Sequence, residues 1–331
     1  MLLLLLACAA RIPAPTEPWV PLPPPPAPVT PAAVDVPVPD TPADTPASAV
    51  NTPPPALKVC RIEVAVGKLP GGVVVAHGAL REDVTSTQSS LLLVHPAGTW
   101  LVDGGMAVDF LSHLREIPGV FGLLARTSAK DWERSATPVD ALHAVGVEPS
   151  ELTGAIATHG HYDHLGGLLD IPGVPIWLPA EEIAEAEIGA RGEKSAILPT
   201  EAKGLLPRAK PIVFDGPAVG PWPTSWDLFG DGSARVIPMP GHTPGSVGVL
   251  LTLDGGRRVL AVGDTVWVRE GYEQREPKGA LAAGFDADRA GTAHQIALLW
   301  QLHTNEPDVT VLPAHDRRQW EQLFGEADCL R

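Results

Sequence analysis

The chain has 331 residues and a formal charge of −15, from 39 acidic against 24 basic side chains. Nucleic acids are gripped through clustered Lys and Arg, so this balance argues against a nucleic-acid partner. The length suits one large domain with an N-terminal extension.

Residues 2–6 are an apolar run far shorter than the roughly 20 residues a membrane-spanning helix needs. They read as the remains of a signal peptide over residues 1–8. No basic residue precedes the run, as expected if the true start lies upstream. Residues 9–57 hold roughly half of the chain's 37 prolines and few large apolar residues. That composition predicts a disordered, extended tether and leaves 58–331 as the folded domain. Cys60 and Cys329 stand at the two edges of that domain with no ligand motif beside them. In an oxidising compartment they could pair; equally, they could be unrelated thiols.

Leu101 and Val102 read as the end of a strand running into Asp103-Gly104-Gly105. Phe110, Leu111, Leu114 and Ile117 then recur at helical spacing. Such a helix packs as core or lies as a lid over a cleft, and core is the commoner fate. The apolar run 152–157, bounded by turn signals, reads as a buried strand. Directly after it comes Thr158-His159-Gly160-His161-Tyr162-Asp163-His164-Leu165-Gly166-Gly167, with three histidines and an aspartate within six positions. Imidazole nitrogens and a carboxylate are the ligands zinc takes where a position is kept open for water. A core would not hold this density of polar groups without a strong partner. Gly166 and Gly167 either permit close backbone approach or begin an ordinary helical turn.

Further along, residues 176–178 read as a short strand. Residues 181–188 read as a helix whose acidic run is most simply a solvated face. His242, Asp264 and His315 each follow an apolar segment, at 235–239, 259–262 and 309–312. Four strands can therefore deliver ligands to one rim. Residues 287–303 predict a helix, with Ala290, Ala293, Ile296, Ala297 and Trp300 in helical phase. His77, His95, His113, His143, His294 and His303 lack ligand spacing. Trp222, Trp226 and Trp267 suit pocket walls, though core packing is the simpler role for any one of them.

The spacing H-x-H-x-D-H resembles the signature of the metallo-β-lactamase superfamily, and four more of that family's motifs are matched in order. Leu101-Val102-Asp103-Gly104-Gly105 looks like its early strand, and Pro240-Gly241-His242-Thr243-Pro244-Gly245 like its third motif. Leu260-Ala261-Val262-Gly263-Asp264 looks like the fourth, and the segment ending at His315 like the last. The resemblance implies an α/β fold, a four-layer αββα sandwich of two mixed sheets covered by helices. It implies that His159, His161 and His242 hold one metal and Asp163, His164 and His315 a second, with Asp264 bridging. Two Zn2+ are the implied cofactors; iron or manganese suits the same ligand types. Asp163 would also take or relay a proton. Asp103 would hold a ligand imidazole from behind, or simply start a turn.

The activity implied is that of a metal-dependent hydrolase using a metal-bound hydroxide on a small ester or lactone. Residues 227–232, leading into Pro240 to Ser246, resemble the lactonase and organophosphate-hydrolase-like branch. Quorum-signal lactonases of that branch often carry a tyrosine three residues after the bridging aspartate. Trp267 stands there instead, and an indole can donate one hydrogen bond but cannot act as an acid or nucleophile. Tyr272 could take the tyrosine's place in the substrate pocket. A β-lactamase and a glyoxalase-II-like thioester hydrolase are alternatives; Asp264 argues against the first. An iron-dependent sulfur dioxygenase is more distant. A surface protein that keeps the fold only to bind metal is the non-enzymatic alternative. No Lys/Arg cluster adjoins the motifs, so the expected substrate is a small neutral or weakly charged molecule. Finally, Leu5-Leu6-Ala7-Cys8 resembles a bacterial lipoprotein lipobox. It implies lipidation of Cys8 and export to the periplasm, or anchoring at the membrane. The sequence patterns do not encode an oligomeric state.

Overall fold

The computed structural model describes residues 10–25, 57–79, 81–325 and 327–330. In chain order, β1 (Lys58–Pro70), β2 (Asp83–His95), β3 (Gly98–Val102), β4 (Glu133–Arg134), β5 (Leu152–Ile156), β6 (Ile176–Leu178) and β7 (Ala209–Pro211) build a first sheet. A second sheet follows from β8 (Trp226–Asp227), β9 (Ala234–Pro238), β10 (Val247–Thr252), β11 (Arg258–Ala261) and β12 (Val309–Leu312). The last strand, β13 (Cys329–Leu330), returns to the outer edge of the first sheet beside β1. Both sheets are mixed: β1, β2 and β3 pair antiparallel, whereas β3, β5, β6 and β7 run parallel. In the second sheet only β11 and β12 are parallel.

Side chains alternate between the two faces of a strand, and here both faces are apolar. On β2, Leu91 and Leu93 point into a core shared with Val236, Val249 and Val259 of the second sheet. Leu92, on the opposite face, packs with Leu101 and Ala155 under Leu142, Leu165 and Leu205. On the far side, Ile237, Leu250 and Leu260 pack beneath Ile296, Leu299 and Leu302 of the Arg289–Asn305 helix. Three apolar interfaces thus separate four layers, the αββα sandwich.

The direction of the strands positions the site. β3 and β5 are parallel. β9 and β11 flank the antiparallel β10, so they run the same way, and β12 follows β11. All these strands deliver their C-terminal ends to one rim, where Asp103, the histidine motif, His242, Asp264 and His315 follow. The Tyr162–Leu169 helix starts inside the motif and is seated closely. A Cβ on Gly167 would collide with the Gly104 carbonyl, and one on Gly166 would crowd Ala107 N. The glycine pair therefore serves both expected purposes, close approach and helix.

Two segments differ from expectation. The helix expected over 110–117 breaks into a single turn, Phe110–His113, and a 3₁₀ turn, Leu114–Glu116. Pro118 follows, then Gly119 at φ 64°, and a second helix spans Gly119–Ser128. Leu114 is core, but Phe110, Ile117, Ala125 and Ala129 wall a cleft, so the segment is both packing and lid. The expected tether also differs where it is described. Residues 10–25 lie along the outer helical layer. Ile12 N donates to Arg275 O, and Gln301 Nε2 donates to Glu17 O, each at 2.8 Å. Trp19 Nε1 and Leu22 N both donate to Glu306 Oε1, at 3.0 and 2.7 Å, and Leu22 is buried beside Trp222. Composition asks whether a segment can build its own core; three well-spaced apolar residues suffice to complete an existing one. Residues 1–9, with the signal-peptide and lipobox readings, and 26–56 lie outside the described residues. Among the described residues no helix is long and apolar enough to cross a membrane.

Cys60 and Cys329 face each other across the β1–β13 ladder and are joined by a disulfide. The bond ties residues 269 positions apart, a loop for which chain-entropy arguments give about 5–6 kcal/mol. The paired Cys60→Ser, Cys329→Ser variant should lose several kcal/mol in urea unfolding. Native, unreduced protein should titrate with no thiol beyond Cys8; two further reactive thiols would contradict the bond.

Candidate metal centre

Thr158 ends the β5 segment and is locked to Asp103. The Asp103 carboxylate accepts from Thr158 N at 2.7 Å and from Thr158 Oγ1 at 2.9 Å. It also lies 2.9 Å from His164 Nδ1. Asp103 itself sits at φ 61°, in the left-handed region, where Asp is better tolerated than most residues. Both readings of Asp103 hold at once: it forms the turn, and it orients an imidazole.

Two groups of ligand-type side chains converge at the rim. His159, His161, His242 and Asp264 form one; Asp163, His164 and His315 form the other. His161 Nδ1 stands 3.0 Å from His159 Nε2 and 2.9 Å from His242 Nε2, so three ring nitrogens share one small space. Asp264 lies between the groups. Its Oδ2 is 3.5 Å from His242 Nε2 and 4.0 Å from His159 Nε2. Its Oδ1 is 3.0 Å from His315 Nε2 and 3.2 Å from His164 Nε2. Asp163 Oδ2 lies 3.6 Å from His315 Nε2. All seven residues named from the sequence are thus brought together.

Electrostatics separates the two groups. Burial, with the neighbouring imidazoles, holds His159 well below its usual pKa. Burial and His242 bring His161 down to about 3. Burial and then Lys278 lower His242. These three rings are neutral near pH 7 and offer lone pairs. Burial is the largest influence on His164 and His315 and works against their charge, but Asp264 together with Asp103 at His164 and with Asp163 at His315 raises both. Burial pushes Asp264 up, yet His315 and His164 hold it well below the carboxylate range. His164 Nε2 and Asp264 Oδ1 are fully buried without a hydrogen-bond partner. Orphaned polar atoms of this kind are costly. A cation shared by lone pairs and carboxylate oxygens would satisfy them, so the donor set fits divalent metal.

Several supporting residues were not named from the sequence. Lys278 is buried, with Nζ 2.9 Å from His242 Nδ1, 2.7 Å from Asp264 O and 2.5 Å from Asp286 Oδ1. Asp286 Oδ1 is itself 2.8 Å from His242 Nδ1. Lys278 lies in a Pro-Lys-Gly loop with no periodicity to mark it. Gln88 Nε2 donates to Asp163 Oδ2 at 3.0 Å; the polar run 85–90 in an otherwise apolar strand was its one trace. Glu182 corrects the reading of 181–188 as a wholly solvated acidic face. It is buried and accepts from Gly160 N at 2.7 Å, Thr243 Oγ1 at 2.9 Å and Gly245 N at 3.0 Å. One carboxylate thereby ties the first histidine loop to the His242 loop. Burial pushes its pKa up to about 7 against the pull of those three donors. Its helical phase with Ala186 and Gly189, both buried, was the missed clue.

Above the centre opens a cleft of about 650 Å³. His161, Asp163, His242, Asp264 and His315 form its floor; Leu69, Phe110, Ile117, Trp132, Leu281 and Phe285 are among its walls. Trp267 lines it too, its indole donating to Asp264 Oδ2 at 2.7 Å. Tyr272 does not. It is buried on the other side of the Asp264 loop, its hydroxyl accepting from Gln319 Nε2 at 2.9 Å. It sits on the helix after Trp267, whose turn carries it away from the floor. Trp222 and Trp226 are packing residues. The first donates to Gln295 Oε1 at 3.0 Å, and the second stacks on Trp177.

Residues 84–315 match the sequence profile of the Metallo-beta-lactamase superfamily. The chain is 26% identical over 236 residues to the N-acyl homoserine lactonase AttM of Agrobacterium fabrum, covering 69% of this chain and 81% of that one. It is 27% identical over 238 residues to a probable metallo-hydrolase of Mycobacterium tuberculosis, covering 68% and 73%. Among solved structures, a mutant of AiiA from B. thuringiensis with N-decanoyl-L-homoserine bound at its active site superposes with TM-score 0.59 at 19% identity. It covers 80% of this chain and 95% of that one. The hydrolase AbOPH, of the β-lactamase superfamily, gives TM-score 0.54 at 14% identity, covering 78% and 87%.

The Glu182 bridge makes a stability prediction. Glu182→Ala leaves the Gly160 and Gly245 N–H groups buried without an acceptor, each loss worth about 1–3 kcal/mol, while Thr243 Oγ1 keeps Ser246 Oγ at 2.8 Å. Urea unfolding should show a loss of at least about 2 kcal/mol; a change under about 1 kcal/mol would mean the bridge does not hold the loops.

Proposed function

Because this chain belongs to the metallo-β-lactamase superfamily, we propose that it is a metal-dependent hydrolase of lactones and related small esters. The observation that carries this reading is the convergence of seven ligand-type side chains on the floor of one largely apolar cleft. His159, His161 and His242 would hold one ion, and Asp163, His164 and His315 a second, with Asp264 shared between them. Two Zn2+ are the proposed pair, on the strength of the imidazole-rich donor set. Divalent ions held there would supply Lewis-acid polarisation of a carbonyl and activation of water.

The chain's own groups supply the rest. Asp103 fixes the tautomer of His164 by accepting a hydrogen bond from its Nδ1–H. Lys278 and Asp286 fix the back of His242. Asp163, on the cleft floor and held by Gln88, is placed to take a proton from the attacking side and pass it to the leaving oxygen. The apolar walls exclude water and seat an aliphatic acyl group. Trp267 stands where its indole can donate to Asp264 or, after a rotation, to a substrate oxygen. No Lys/Arg cluster lines the floor to hold a polyanion. Likeness to AttM and AiiA supports lactones ahead of thioesters and β-lactams.

The test is turnover of a lactone, an aryl ester, a thioester, a phosphotriester and a cephalosporin by the metal-loaded chain. The lactone should give the highest kcat/KM, and His161→Ala should lower it by at least about a hundredfold, since even residues behind metal ligands are worth 10- to 100-fold. No turnover of any substrate by fully loaded protein would favour the non-catalytic, metal-binding reading instead.

A further inference from the structure

The lid over the cleft has a second face. On the Gly119–Ser128 helix, Ala125 looks into the cleft together with the adjoining Ala129, while Val120 and Leu123 look outward. Val120 and Leu123 are 63% and 59% exposed; on the preceding turn Val108 and Leu111 are 51% and 50% exposed. Leu281, across the mouth, is 37% exposed while also lining the cleft. Scattered exposed aliphatics are ordinary, but a group of them around a site mouth marks an interaction surface. The lid is anchored from beneath by His113 Nδ1, 3.0 Å from Glu201 Oε1, and its two parts are joined by Arg126 donating to Leu114 O at 3.0 Å. Its outer apolar face is therefore held in place.

Two observations say what covers this face. The first is charge. The chain carries −15 overall, yet in residues 106–131 Asp109, Glu116 and Asp131 are balanced by Arg115, Arg126 and Lys130. An electrically neutral apolar patch on a strongly acidic protein suits a lipid surface better than a charged partner. The second is where the N-terminal segment leaves the domain. Ile12 N is bonded to Arg275 O, and Arg11 pairs with Glu276 at 3.5 Å. That loop continues through Lys278 to Leu281 and Phe285, which wall the same cleft. Cys8, the candidate lipidation site, is two residues before the first described residue, a span of at most about 7 Å. An acyl chain there would bring a bilayer to the side of the domain on which the cleft opens.

We propose that Val108, Leu111, Val120 and Leu123, with Leu281, form a bilayer-docking surface that sets the mouth of the cleft against the lipid–water interface. Substrates that partition into lipid would then reach the apolar walls without crossing bulk water. That last consequence rests on the hydrolase reading; docking itself does not, and a binding readout separates the two.

The test is cosedimentation of the full chain, carrying Cys8→Ser so that no acyl group contributes. The probes are vesicles of phosphatidylcholine and of phosphatidylcholine mixed with phosphatidylglycerol. Binding to both, little weakened by salt, is expected, because the contact is apolar. Leu111→Gln with Leu123→Gln should weaken it at least about tenfold, the loss expected when large apolar side chains no longer enter an apolar phase. Val120→Trp should strengthen it, as Trp favours the interfacial region; this arm decides the matter if the double variant does not fold. Absence of sedimentation with either vesicle would overturn the proposal, as would equal binding by all three proteins. So would a concentration-dependent dimer that the double variant abolishes in the absence of lipid, which would assign the face to a second copy of the chain.

Discussion

A single buried carboxylate organises this molecule. Asp264 is almost wholly enclosed, with the imidazoles of His159 and His242 near one oxygen and those of His164 and His315 near the other. An isolated carboxylate at such a depth would be driven to its neutral form. Here the surrounding rings hold it well below the carboxylate range despite burial. The cost of that arrangement is met only if every strand end around it arrives in register. The parallel relation of β3 with β5, and of β11 with β12, accomplishes this. The two sheets contribute unequal halves, and the sandwich core between them fixes their spacing.

Around the carboxylate, the loops are fastened to each other by buried polar side chains. Glu182 ties the His159–His161 loop to the His242 loop. Asp103 ties Thr158 to His164. Lys278 ties the back of His242 to the Asp264 main chain. Each fastener is itself buried and charged or strongly polar, so each depends on the others for its partners. The cleft above is built to the opposite rule, from aliphatic and aromatic walls on segments that contribute little to the sandwich.

The ligands were legible in the sequence because each group of them follows an apolar strand, and strand plus polar terminus is a local pattern. The four-layer fold was legible through the family resemblance that those motifs carry, and the extents of β6 and β12 through the apolar runs themselves. Glu182 was not, because a helix with several glutamates looks solvated until its phase is fixed by what it packs on. Lys278 and Asp286 lie in loops, where no period exists, and meet His242 only through the tertiary fold. Tyr272 misled because nearness in sequence to Asp264 stood in for direction; one helical turn sends it away from the floor. Residues 10–25 misled because their composition describes what they could fold alone, whereas they borrow a core made by Trp222 and its neighbours.

The most direct measurement is metal stoichiometry. The purified full chain is equilibrated with zinc, freed of unbound ion by gel filtration, and analysed by elemental mass spectrometry against protein concentration. Seven converging ligands with one carboxylate between two groups predict two ions per chain, as in two-metal hydrolytic sites. A folded chain that retains no zinc, or that saturates at one ion, would contradict the two-metal centre on which the account rests.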